Sequence, residues 1–132
     1  MTIVVGYIPT AEGSAAVNAA ITEAQLRSQP LVIVNTGRLG DNSVPAFASP
    51  QDLDALDAQL SGLGIEHEIR QATGAQSAAD AILDAASDVD ASLIVIGIRH
   101  RSAVGKLFLG STSQQVLLDA PCPVFAVPAT TA

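Results

Sequence analysis

Short runs of β-branched and aliphatic residues alternate along the chain with longer alanine-rich segments, whose apolar positions recur every three or four residues. Ile3-Val4-Val5-Gly6-Tyr7 reads as a first buried strand. Residues 13–27 follow as a helix, with Ala16, Ala20 and Ala24 beside Val17 and Ile21 on one stripe and Ser14 as the candidate cap. Pro30 closes a turn into Leu31-Val32-Ile33-Val34, a continuous apolar run of interior-strand length that ends near Asn35. Residues 36–49 shift to Gly, Asp, Asn, Ser and Pro, a loop long enough to be expected either mobile or functional. A second helix is expected over 50–61, from Pro50 through Leu53, Leu56 and Leu60, with Gly62 and Gly64 as its stop. Residues 65–70 alternate apolar with polar, as a third strand near the rim would, and His67 between Glu66 and Glu68 is read as lying on the exposed polar side.

After Gly74, the positions of Ala78, Ala81, Ile82 and Ala85 predict a third helix running to about Ser87. Ser92-Leu93-Ile94-Val95-Ile96 is the most deeply buried strand by pattern, and Gly97 is expected to end it. Residues 98–109 read as a basic loop, and 111–119 as a last helix burying Val116, Leu117 and Leu118. Pro121 and Pro123 then bracket Cys122 before a fifth strand at 124–127. The expected organisation is one domain over residues 1–128 with a flexible tail at 129–132.

Five strands joined by helical crossovers predict an α/β protein: an open, doubly wound sheet of five parallel strands with helices on both faces. Ligands of such sheets bind beyond the carboxyl ends of the strands, where the strand order reverses. That directs attention to residues 8–14, 36–41 and 97–111. The last strand, weakly polar, is a poor candidate for a bare edge, so a homodimer through it is expected.

Composition narrows the function. Six Lys and Arg against thirteen Asp and Glu leave the 132-residue chain at a formal charge of −7, which disfavours general nucleic-acid binding. One cysteine excludes an internal disulfide, and no apolar run reaches bilayer length, so a cytoplasmic location with no membrane partner is expected. Tyr7, Phe47, Phe108 and Phe125 are the only aromatics, too few for a stacking platform. His67 has no second ligand at metal spacing, and Cys122 reads as a small core residue. Ser102 and Ser111 have no general base in sequence reach, so no catalytic residue is assigned and any hydrolysis is expected to be slow and incidental.

The chemistry concentrates in residues 97–112. This segment holds Gly97, Gly105 and Gly110, the hydroxyls of Ser102, Ser111 and Thr112, and Arg99, Arg101 and Lys106, which are half of the chain's positive charge. Glycines that allow close approach, a helix N-terminus and cationic side chains suit a phosphate. The spacing is neither that of a Walker A loop nor that of a dinucleotide fingerprint.

Gly97, Gly110 and Ser111 stand at the spacing G-x-x-G, nine residues, G-S, with His100 at the second glycine, and the chain closes on Asp119-Ala120-Pro121-Cys122-Pro123-Val124. With Ile3-Val4-Val5-Gly6-Tyr7 at the start, these features make nearly the full length resemble the universal stress protein family. The resemblance implies a sheet ordered 3-2-1-4-5 of the adenine nucleotide alpha hydrolase-like type, a homodimer through the last strands, and ATP, or AMP or ADP, across the ends of strands one and four, with Mg²⁺ as an optional companion. Pro9, Thr36, Gly97, Arg99, His100, Arg101, Gly110, Ser111 and Thr112 are the candidate binding residues, Thr36 standing where the family's backbone approaches the adenine. Ile8 occupies a position where the family normally offers an acid toward the ribose, and Glu12 is a candidate substitute. The implied function is a nucleotide-responsive stress module. The alternative is a dimeric interaction protein of the stress response that keeps the fold and works without nucleotide.

Overall fold

The apolar runs fold as strands and the alanine-rich segments as helices in a computed structural model that describes residues 1–36, 50–72, 76–101, 106–108 and 110–129, with backbone alone at 99–101 and 106–108. In chain order the elements are β1 (Thr2–Tyr7), α1 (Ala11–Arg27), β2 (Leu31–Asn35), α2 (Pro50–Gly62), β3 (His67–Gln71), α3 (Ala78–Asp88), β4 (Ala91–Arg101), β5 (Lys106–Phe108), α4 (Ser111–Asp119) and β6 (Val124–Pro128).

β1 pairs in parallel with β2 on one side and β4 on the other, while β3 adds to β2 and β6 adds to β4. The parallel sheet is therefore ordered β3-β2-β1-β4-β6, the 3-2-1-4-5 arrangement with β6 as the fifth parallel strand. Alternation along the strands loads both faces. Ile3, Val5, Leu31, Ile33, Leu93 and Val95 pack against α1 and against Leu56 and Leu60 of α2. Val4, Val32, Val34, Ile94 and Ile96 pack against α3 and Val116 of α4. Asn35 is the one polar residue buried among the described ones.

Several sequence expectations are corrected here. Helix α1 starts two residues early, because Thr10 rather than Ser14 is its cap: Thr10 is extended (φ −130°, ψ 170°) and its Oγ1 accepts from the Gly13 N–H at 3.1 Å. Gly97 does not end its strand. β4 continues to Arg101 and pairs antiparallel with β5 in the register Arg99↔Phe108, His100↔Leu107 and Arg101↔Lys106, so the expected loop at 98–109 begins and ends as a hairpin. Residues 102–105 and 109 lie outside the described residues, as do 37–49, 73–75 and 130–132. Of the three apolar residues in α4, only Val116 is buried. Leu117 and Leu118 are exposed, because a nine-residue helix resting on one face of the sheet has room for a single inward position.

His67 is a further correction. Period-two alternation puts it with Ile65 and Ile69, toward α2, and not with Glu66 and Glu68. Its ring is largely covered, with Nδ1 donating to the Ile65 carbonyl at 2.8 Å and Nε2 to Asp57 Oδ1 of α2 at 2.5 Å. Both ring nitrogens face acceptors, an arrangement that suits the doubly protonated ring. The backbone bond to Ile65 foremost, and then the bond to Asp57, raise its pKa. Among the described residues no helix is long and apolar enough to cross a membrane.

Candidate functional site

The strand order reverses at β1. The chain winds outward through β2 and β3, then returns to lay β4 and β6 on the opposite side, so the connections leaving β1 and β4 part company at the carboxyl edge. Thr36 closes the β2 side of this crevice: its N–H donates to the Tyr7 carbonyl at 3.0 Å, continuing the pairing one residue past the sheet, and its hydroxyl reaches the same oxygen at 3.4 Å. Pro9 lies in the short turn from β1 to α1, where the Thr10 N–H donates to the Ile8 carbonyl at 2.8 Å.

Two glycines bring α1 down onto this turn. A Cβ on Gly13 would run into the Ile8 carbonyl oxygen and lie 3.0 Å from its carbon. A Cβ on Gly97 would run into the Glu12 carbonyl oxygen and lie 2.7 Å from its carbon. Gly97 thus lacks a side chain so that the first turn of α1 can rest on β4, a close approach of backbone to backbone where a sharp turn at the strand end was expected. Pro9, Thr36 and Gly97 consequently belong to one neighbourhood around the end of β1, with Glu12 at its edge.

Beyond Gly97 the hairpin carries Arg99, His100 and Arg101 past the sheet, and their side chains lie outside the described residues. The chain re-enters at Gly110, the N-cap of α4 (φ −71°, ψ 173°). Helices α1 and α3 are capped by Thr10 and Ser77, each hydroxyl accepting a first-turn N–H at 3.1 Å. Each also carries an acid in its first turn, Glu12 or Asp80. Gly110 has no side chain to accept a bond, and no acid follows it in the first turn of α4. The N–H groups at Ser111 and Thr112 therefore open an electropositive helix terminus.

A polar row that sequence reasoning missed crosses the same edge. Tyr7, Asn35 and Gln71 are Cα partners at the ends of β1, β2 and β3, on the α1 and α2 face. Asn35 Nδ2 donates to Gln71 Oε1 at 3.0 Å and Gln71 Nε2 to the Asn35 carbonyl at 3.4 Å, while Asn35 Oδ1 is buried without a partner among the described residues. Burial, and then the charge of Asp52 on α2, hold the Tyr7 phenol above its ordinary pKa. The only signal for this row in the sequence is an asparagine terminating an apolar run. Elsewhere, Cys122 is half-buried against the α3 side of the core, and burial pushes its thiol pKa up. The described residues contain no group of three His, Cys, Asp or Glu able to hold a metal ion.

The universal stress protein family model matches residues 1–128. The chain belongs to the universal stress protein family. It is 45% identical over 126 residues to a universal stress protein of Mycolicibacterium smegmatis, covering 95% of each chain. Among solved structures, the universal stress protein of Archaeoglobus fulgidus matches with a TM-score of 0.71 and 28% identity over 96% of this chain and 98% of the other. A universal stress protein from the same organism in complex with dAMP matches with a TM-score of 0.63 and 27% identity, over 96% and 97%. Membership of the family accounts for the strand order and for the open edge at β1 and β4.

Proposed function

We propose that this universal stress protein family member binds an adenine nucleotide as a regulatory ligand across the carboxyl ends of β2, β1 and β4. The observation that carries the reading is the α4 terminus, capped by a glycine and free of first-turn acid, at the edge of the switch-point crevice. The dAMP complex of the Archaeoglobus fulgidus relative supports the choice of ligand.

In this reading Thr36 borders the base, Pro9 lines the turn beside the sugar, and the N–H groups at Gly110, Ser111 and Thr112 meet phosphate. Arg99 and Arg101 supply positive charge from the hairpin, His100 offers an imidazole to the phosphate, and Gly97 acts by holding α1 in place. ATP is the first ligand to test, with ADP, AMP and Mg²⁺ beside it. Among the described residues of the site none is placed to activate water, and in this reading the nucleotide serves as a signal in a cytoplasmic stress response. β6 offers its outer edge and Phe125, 40% exposed, to a second copy of the chain.

Chromatography of small molecules released by denaturing protein purified without added nucleotide tests the reading, together with calorimetric titration of AMP, ADP and ATP. An empty extract and no heat of binding would overturn it. Gly110→Leu separates the site from the scaffold, because φ −71° suits any residue. The variant is expected to fold and to lose nucleotide. Full binding by it would remove the α4 terminus from the site.

A further inference from the structure

We infer that the Asn35 side chain reads the base, its Oδ1 accepting a hydrogen bond from an exocyclic amino group, so that the site selects a 6-aminopurine over a 6-oxopurine. The inference rests on the nucleotide reading above and adds a specificity residue to it.

The starting point is an imbalance. Asn35 is 0% exposed, and Gln71 occupies both its amide nitrogen and its backbone carbonyl, yet the side-chain oxygen has no partner among the described residues. A buried acceptor without a donor is costly, and such atoms are uncommon in folded chains. The orientation of the carboxamide follows from the network. Turning Asn35 alone would set its oxygen against Gln71 Oε1, and turning Gln71 as well would give up the bond from Gln71 Nε2 to the Asn35 carbonyl. The unsatisfied group is therefore an acceptor, and what satisfies it must be a donor.

Its place in the fold fits the base end of a nucleotide. Asn35 is the last residue of β2, paired with Tyr7 at the end of β1 and followed by Thr36 on the crevice edge. From β2 across β1 to β4 is two strand spacings, roughly 10 Å. A nucleoside 5′-phosphate has that reach, with its phosphate on the α4 side and its base on the β2 side. Tyr7 is the half-buried neighbour of Asn35 on the same face, and the base reaches Oδ1 by moving that ring aside. A 6-amino group then donates to Oδ1, whereas a 6-oxo group sets acceptor against acceptor.

The test compares AMP with IMP by calorimetry on the full chain. The wild type is expected to favour AMP by about tenfold or more, the usual size of one buried hydrogen bond gained or opposed. Asn35→Leu is expected to bring the two affinities together. Should that variant fail to fold, the Asn35 side-chain amide resonances of the wild type supply the second readout, moving with AMP and much less with IMP. Equal affinities in the wild type overturn the base reading and leave the nucleotide site standing. A preference for AMP that survives in Asn35→Leu overturns the role of this residue, its oxygen being satisfied by a buried water alone. Binding of neither nucleotide removes the site itself and the base reading with it.

Discussion

Replacing Gly97 by alanine probes how α1 is seated on the sheet. The new methyl group would occupy the space of the Glu12 carbonyl, and both partners are backbone, one in the middle of β4 and the other in the first turn of a helix. Neither can rotate away as a side chain would. Relief requires α1 to lift from β4 or the strand to bend, and overpacking of this kind costs about 1–3 kcal/mol. For 132 residues, an unfolding entropy near 2.1 cal/mol/K per residue converts that cost into a fall in Tm of about 4–11 °C. Gly62→Ala is the control, since among the described residues nothing lies within 4 Å of a Cβ at that helical position. It is expected to gain about 0.5–1 kcal/mol from reduced chain entropy. Differential scanning calorimetry with urea titration gives both values. A Tm for Gly97→Ala within about 1 °C of wild type would refute the reasoning, because that energy is too small for a backbone collision.

The His67 clamp has a defined pH dependence. Its folded pKa is raised by the Ile65 carbonyl and then by Asp57, so its stabilising contribution is complete below the unfolded value near 6.5 and fades as pH rises through the folded value. An NMR titration of the ring with stability curves over that window checks the direction; Asp57→Asn is expected to lower the ring pKa, and an unchanged titration would show that the contact is absent in solution. Phe125→Glu is expected to shift sedimentation at micromolar concentration from dimer to monomer, and a monomeric wild type would end the case for pairing through β6.

The legible part of this protein was its alternation. Ile3-Val4-Val5, Leu31-Val32-Ile33-Val34 and Leu93-Ile94-Val95-Ile96 are buried on both faces, and runs without polar positions have no other stable placement in a small α/β domain. The start of α4 at Ser111 was legible because a glycine before a hydroxyl pair is a local signal. His67 was misjudged by a count of neighbours, although period two already grouped it with Ile65 and Ile69. Thr10 was passed over as a cap because the helix signal from its alanines is strongest further along the chain.

What the sequence determined by itself is the set of elements and their inward faces, since those depend on periodicities of 2 and 3.6 and on residues near in the chain. Tertiary structure alone decided what Gly97 is for, because the atom that excludes its side chain belongs to Glu12, 85 positions earlier in the sequence. It also decided the Tyr7, Asn35 and Gln71 row, whose members meet only through the register of three strands. Contacts between distant segments follow from strand order and close packing, and neither is written in any local run of residues.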